Sequence, residues 1–545
     1  MSFSPLYFDA LTRIGPRPSK SARQPWNLNS LIEDMEHASI SAALVQSILS
    51  VRYDPIYSNR ELSRQLEEFD QLFPVWNLLP HGAGESPEPA ELEKMLADQP
   101  VAALSIHPNT NGWDALSDSS RELFAWLEDA GRPVLMGRSE FGKYGELETL
   151  LQRFPRLPLI LTDASWREQR QVLPLVRRFK NLHLCFNEFQ VNYGIEDLVE
   201  FGCEDQLLFG SNAPVMSAGA HRTYVDYAEV TPEVKTKIAS GNLLRLLKLS
   251  QPPHEFINPD EDVLMREARQ GLPLSAPVID MHMHILHEGL NGVGATLRMS
   301  KGGPKPTFAM LKRLGCVGGG FMSWNGTYGA DAPAGNLCVT DALDAAPTGY
   351  WGLATLDPVH YSQDEMRTEM LRAYSDPRFI GMKPYVFFGV EYHSSVYDQW
   401  WEFGNERQFY AGIHRVRDGD FLEIETLAAK YPRVRWVAYH CGSDFKTAEM
   451  AVECMQRHPN VFAEITFTSV ASGIIEYLVS QVGADRVLYG SDLPMRDPRQ
   501  QLGWVVYSKL PVEEKIKILG ANAMQVIAPC RDRLPAHSLP QPFFP

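Results

Sequence analysis

The run from Val278 to Gly289 reads VIDMHMHILHEG and carries His282 and His284 two residues apart. In a β-strand successive side chains point to opposite faces, so two histidines at this spacing share one face and can grip one metal ion. Further along, His414 in FYAGIH, His440 in RVRWVAYHCG and Asp492 in VLYGSDLP each close a short apolar run. Imidazole and carboxylate groups are the donors that transition-metal sites use. The apolar runs before them predict that strands present all five residues at one end of a sheet.

The chain that must position them has 545 residues, too many for one ordinary core and the right length for two barrels of about 250 residues. It is 44% hydrophobic and 22% charged, as a soluble globular protein is, and no apolar run is long enough for a membrane helix. A net charge of −16 argues against nucleic acid as a partner, because phosphate binding needs concentrated lysine and arginine. The seven cysteines are scattered without a CxxC pair, which predicts buried free thiols. MSFSPLYFDALTRIG at the N-terminus lacks a basic segment followed by an apolar one, so no secretory signal is read and a cytoplasmic location is expected.

The two halves repeat. FDALTR from Phe8 aligns with IDMHMH from Ile279 at an offset of 271; RFPRLPLILTDAS from Arg153 aligns with KYPRVRWVAYHCG from Lys430 at 277. LLFGSNAP matches VLYGSDLP, and SGNLLRLL matches GANAMQVI, both at 280. Apolar runs such as WGLATLDP, RFIGMKPY and NVFAEITF alternate with stretches of helical period, the pattern of a parallel sheet covered by helices. The fold expected is α/β, two tandem (β/α)8 TIM barrels. Residues 1–250 form the first and 277–530 the second, with a proline- and charge-rich linker over 251–276 and a tail over 531–545. Where the second copy has His282, His284, His414, His440 and Asp492, the first has Leu11, Arg13, Gly137, Asp163 and Asn212. Leucine, glycine and asparagine are poor or impossible ligands and arginine repels a cation, so the first barrel is expected to bind no catalytic metal.

IDMHMH, GMKPY, FYAGIH, YPRVRWVAYHCGS, PNVFAEIT, RVLYGSDLP and LGANAMQVI span the second half. Together they resemble the amidohydrolase superfamily, in its amidohydrolase-related branch; the first half resembles it in frame only. The resemblance implies His282, His284, His414 and Asp492 as metal ligands. Asp492 would double as the catalytic base, and His440 would serve as a further ligand or as an acid and polarising group. One divalent ion is favoured over two, most readily Zn²⁺, with Mn²⁺ and Fe²⁺ as alternatives; it would lower the pKa of bound water towards about 7. Lys383 in GMKPY occupies the place of a bridging carboxylated lysine in some superfamily members, but here it is read with Tyr385, Arg415, Arg417, Trp324 and Arg496 as substrate-binding. Glu464 is read as orienting a ligand histidine or as a structural carboxylate, and the glycine-rich stretch from His287 to Pro306 as a mobile lid.

The activity expected is hydrolysis of an amide, lactone or ester-like bond in a small molecule, one whose carboxylate the arginines would hold. The alternative is metal-dependent non-oxidative decarboxylation of a small unsaturated or aromatic acid; a non-catalytic scaffold is the third reading, and suits the first barrel best. No membrane or nucleic-acid partner is expected, and a homodimer is the default oligomer. Elemental analysis of protein purified without added metal or chelator is expected to give about one ion per chain, lost in His282→Ala/His284→Ala. A native protein that stays empty after reconstitution would sink the catalytic reading.

Overall fold

The computed structural model describes residues 4–18, 21–97, 99, 101–250, 255–290, 292–293, 297–414, 420–536 and 539–540. The chain divides into two compact units. The first comprises Met1–Ser19, Gln24–Gln190 and Gly194–Glu261, and the second Lys20–Arg23, Val191–Tyr193 and Asp262–Pro545. Among the described residues no helix is long and apolar enough to cross a membrane.

In the first unit β1 (Phe8–Ile14), β2 (Ala42–Ser47), β3 (Leu72–Leu78), β4 (Ala103–Ile106), β5 (Val134–Gly137), β6 (Leu159–Thr162), β7 (Leu182–Cys185) and β8 (Leu207–Leu208) pair in chain order. Every pairing is parallel and helices alternate with the strands. The Ala10 amide donates to the Phe209 carbonyl (2.9 Å) and the Asn212 amide to that of Leu11 (2.8 Å), joining the eighth strand to the first. Phe8, Leu44, Val75, Leu135, Ile160 and Leu208 fill the interior.

The second unit repeats the plan. Its strands are β9 (Val278–Ile285), a small hairpin β10 (Gly292–Val293) and β11 (Leu297–Arg298), then β12 (Cys316–Ser323), β13 (Tyr350–Ala354), β14 (Phe379–Met382), β15 (Tyr410–His414), β16 (Arg435–Tyr439), β17 (Val461–Glu464) and β18 (Val487–Leu488). Setting the hairpin aside, the eight strands run parallel in chain order, and the His284 amide donates to the Leu493 carbonyl (2.6 Å) across the closure. Both units are (β/α)8 TIM barrels. The stretch read as linker holds a helix, Val263–Arg269, whose Leu264, Met265 and Ala268 are buried, because they pack as apolar side chains do whatever the surrounding composition. All seven cysteines are free and buried.

Glycine shapes the second interior. A Cβ on Gly320 would stand 2.4 Å from the Tyr410 hydroxyl, and one on Gly412 would stand 2.3 Å from that of Tyr439. The run CVGGGFMS and the Gly412 before His414 therefore make room for two large rings inside the barrel. Tyr410 accepts a hydrogen bond from the Trp351 indole (2.8 Å), and Tyr439 donates one to the Met281 carbonyl (2.9 Å).

Regular alternation, on which the HxH reading rested, is interrupted. Against β12, Asp280 pairs with Gly319 but Met283 with Phe321, so β9 carries one extra residue at Met281/His282. Such a bulge bends the strand and re-aims side chains. Asp280 compensates: its carboxylate accepts from the amides of His282 and Ser491, both at 3.0 Å. The first barrel has the same bulge in β1, where Asp9 accepts from the amides of Leu11 (2.9 Å) and Ser211 (3.1 Å). Burial pushes Asp9 up to about 7 and Asp280 up to about 8, against the pull of these hydrogen bonds.

Because the folded Asp9 resists ionisation while the unfolded one ionises near pH 4, this group takes stability away as pH rises from about 4 to about 7 and nothing further above that. Asn at this position keeps one acceptor oxygen without the charge. Denaturant titrations are expected to show the stability of Asp9→Asn gaining on the native chain across that window; a pH-independent difference would contradict the assignment.

Candidate metal centre

Each residue of the expected set lies near the end of a strand of the second barrel or shortly beyond it. His282 and His284 come from β9, His414 closes β15, His440 follows β16, and Asp492 lies beyond β18. His440 (φ 66°) and Asp492 (φ 58°) adopt the left-handed conformation, a strained choice for residues with a Cβ that turns the chain sharply at the strand end.

Two triads bring ligand atoms within 4.8 Å of one another: His282, His284 and Asp492, and His282, His440 and Glu464. His282 Nε2 stands 3.6 Å and His284 Nε2 3.3 Å from Asp492 Oδ1. Two donors each about 2.1 Å from a tetrahedral ion are about 3.4 Å apart, so these separations suit one coordination shell. His414 belongs to neither triad. Its ring meets that of His440 edge-on at 4.8 Å, and its carbonyl accepts from the Tyr392 hydroxyl (2.8 Å).

The tautomers follow from the outer partners. His282 Nδ1 faces Glu464 Oε2 at 3.0 Å, so that nitrogen carries the proton and Nε2 keeps its lone pair. His440 Nδ1 donates to the Thr466 carbonyl at 2.8 Å and leaves its Nε2 free in the same way. Glu464 is itself fixed by the Thr466 amide (2.5 Å) and hydroxyl. Tyr439 stacks on the His282 ring, centroids 3.8 Å apart, which sets the plane of the imidazole. Neither Tyr439 nor Thr466 was expected at the site; the tyrosine directly preceding His440 in VAYHC was the available signal.

Among the described residues, buried nitrogens without hydrogen-bond partners collect here: His282 Nε2, His284 Nδ1, His414 Nδ1 and Lys383 Nζ, with the Trp324 indole beside them. Burial drives all four imidazoles below their ordinary value, His440 down to about 3, so they are neutral and able to donate lone pairs. Burial alone would raise the Asp492 carboxyl, but Arg496 and the imidazoles outweigh it and hold it well below the usual carboxylate range. A neutral, nitrogen-rich shell with one anionic oxygen fits a divalent transition metal.

The expected substrate residues divide in two. Trp324 packs edge-on against His284 (4.7 Å) and Tyr385 against His414 (5.2 Å). Lys383 lies 4.2 Å from the Tyr439 ring centre, its amine pulled down to about 7 by burial. Arg496 contacts Asp492 and donates to the Thr468 hydroxyl (2.7 Å). Arg415 and Arg417 lie outside the described residues, as do Asn291 and Ala295 of the stretch read as a lid. Trp400 and Trp401 are buried and stacked on each other in the core.

A family model for amidohydrolases matches residues 57–249 and 279–527. The chain belongs to the amidohydrolase family. No curated protein matches it. Among solved structures it is similar to an uncharacterised TIM-barrel protein from Bordetella bronchiseptica, at 14% identity and a TM-score of 0.39 over 47% of this chain and 99% of that one. It is also similar to 5-carboxyvanillate decarboxylase from Sphingomonas paucimobilis, at 13% identity and a TM-score of 0.36 over 45% and 100%. A third is dihydroxybenzoic acid decarboxylase from a Polaromonas species, with bound manganese and 2-nitroresorcinol, at 15% identity and a TM-score of 0.37 over 46% and 97%. Each covers slightly less than half of this chain.

In the first barrel the corresponding place is filled by ion pairing. Arg13 forms a fork on Asp163 (3.1 and 2.7 Å) and donates to Asn212 Oδ1 (3.1 Å), while Asn187 donates to Asp163 (2.8 Å). Asp163 (φ 61°) and Asn212 (φ 63°) keep the left-handed backbone of His440 and Asp492. No metal-ligating triad occurs in this unit among the described residues.

If Glu464 fixes His282 for a metal, Glu464→Gln should weaken metal affinity about 10- to 100-fold without unfolding the protein. Competition against a chromogenic chelator measures this, and unchanged affinity would make Glu464 purely structural.

Proposed function

We propose that the second barrel is a metal-dependent hydrolase of a small molecule bearing a carboxylate. The observation that carries the reading is the convergence of His282 and His284 with Asp492, and of His282 and His440 with Glu464, on one buried space in which, among the described residues, His282 Nε2 has no hydrogen-bond partner. His282, His284, His414 and Asp492 would hold a divalent ion, with Zn²⁺ the first choice and one ion favoured over two. When bound, such an ion supplies Lewis acidity and makes a coordinated water acidic near neutral pH.

The side chains do the rest. Asp492, kept ionised by Arg496, accepts a proton from the attacking water and passes it to the leaving group. His440, its tautomer set by Thr466, presents Nε2 to the same space as acceptor or additional ligand. Among the described residues Lys383 has no hydrogen-bond partner, and it offers its amine to a substrate carboxylate. Trp324, Tyr328, Phe387 and Tyr385 form a continuous run of ring contacts between His284 and His414, a wall suited to a flat substrate.

That wall, with an unpaired amine beside it, also favours the second reading, non-oxidative decarboxylation of an unsaturated or aromatic acid. Metal-loaded protein should be assayed on a panel of small acids, lactones and amides for both water-dependent cleavage and CO₂ release. Hydrolysis, with KM for carboxylated substrates raised about 10-fold or more in Lys383→Met and kcat changed less, is the expected result. CO₂ release without hydrolysis would overturn the hydrolase in favour of the decarboxylase.

A further inference from the structure

His414 lacks the support that two of the other imidazoles have. His282 has Glu464 at its Nδ1 and His440 has the Thr466 carbonyl, whereas His414 Nδ1 is buried and, among the described residues, has no hydrogen-bond partner. Its strand is also held unevenly. β15 pairs with β16 as far as His414 with Tyr439, but with β14 the pairs are Gly381 with Tyr410 and Met382 with Ala411. Among the described residues, Gly412, Ile413 and His414 therefore have a ladder on one side and none on the β14 side.

Tyr392, from the segment between β14 and β15, reaches that strand end. Its hydroxyl donates to the His414 carbonyl (2.8 Å), and the residue is 2% exposed. The tyrosine is itself fixed at both backbone groups. Its carbonyl accepts from the Trp401 indole (2.9 Å), one half of the buried Trp400 and Trp401 stack. Its amide donates to Glu423 Oε2 (2.5 Å) on the helix Asp420–Lys430, which follows β15. A phenol anchored on the core and on the next helix is a preorganised donor, and a ligand is placed as accurately as the groups that hold it. Ring contacts of His414 with Tyr385 (5.2 Å) and His440 (4.8 Å) limit its tilt but do not fix the strand end.

We propose that Tyr392 is a positioning residue of the metal centre: by holding the His414 carbonyl it sets where the His414 imidazole stands relative to His282, His284 and Asp492. Glu464 and Thr466 act on the rings of their histidines, whereas Tyr392 acts on the backbone of its own. The inference rests on the reading of His414 as a ligand and is independent of whether the reaction is hydrolysis or decarboxylation.

Titration of the metal-free full-length protein with Co²⁺ tests this, read by chelator competition and by the visible absorption of the bound ion, which reports the number and arrangement of its ligands. Tyr392→Phe keeps the ring and removes the hydroxyl. Tyr397→Phe is the control, since Tyr397 is buried in the same segment and its hydroxyl has no partner among the described residues. The expected result is affinity about 10-fold weaker in Tyr392→Phe, with a spectrum at saturating Co²⁺ shifted towards that of His414→Ala, while Tyr397→Phe matches the native protein. Native affinity and spectrum in Tyr392→Phe, or equal changes in Tyr392→Phe and Tyr397→Phe, would overturn the proposal and leave the metal reading standing. A native spectrum in His414→Ala would remove His414 from the ligands and the proposal with it. A native protein that takes up no Co²⁺ would overturn the metal reading and the proposal together.

Discussion

The second barrel is organised around imidazoles taken out of water with nitrogens left unpaired. A buried polar atom without a partner costs about 1–3 kcal/mol, and His282, His284, His414 and Lys383 each carry one in the same small volume. A stable protein does not normally concentrate such costs unless something bound there offsets them. The neighbouring features are consistent with that demand: Arg496 keeps Asp492 ionised, and Glu464 and Thr466 hold the protons of His282 and His440 away from the centre.

The geometry of that centre is set by packing below it. Gly412 has no side chain, so the Tyr439 ring can enter the barrel; Tyr439 in turn lies flat against His282 and donates to the Met281 carbonyl within the β9 bulge. The bulge would leave the His282 amide without its ladder partner, and Asp280 accepts it. A glycine and a tyrosine on two other strands, and an aspartate on its own strand, thus decide where His282 points.

Duplication shows which parts of this arrangement belong to the barrel and which to the chemistry. The bulge in the first strand, its aspartate and the left-handed residues after the sixth and eighth strands occur in both copies. So does the asparagine near each C-terminal end: Asn242 donates to Glu204 and Leu207 carbonyls, and Asn522 to those of Ala484 and Val487. The asparagine shared by the two closing motifs therefore anchors the eighth strand rather than serving the site. What differs is the centre, where the Arg13 guanidinium meets Asp163 in the first copy and neutral imidazoles gather in the second. A guanidinium brings its own charge and its own donors, and Arg13 spends them on Asp163 and Asn212.

Much of this was legible in the sequence. Burial of both faces of parallel strands makes them continuous apolar runs, and a nearly constant offset between copies shows two barrels; histidine and aspartate at the ends of those runs then mark the candidate functional face. Outer partners could not be read, because Glu464 lies 182 residues from the His282 it orients and only the closed barrel brings them together. Nor could the bulge, which depends on the register between β9 and β12 rather than on either strand alone. Sequence determined which chemistry the chain can carry; the tertiary structure decided which nitrogens are left unpaired and which way they face, because both depend on contacts between residues far apart along the chain.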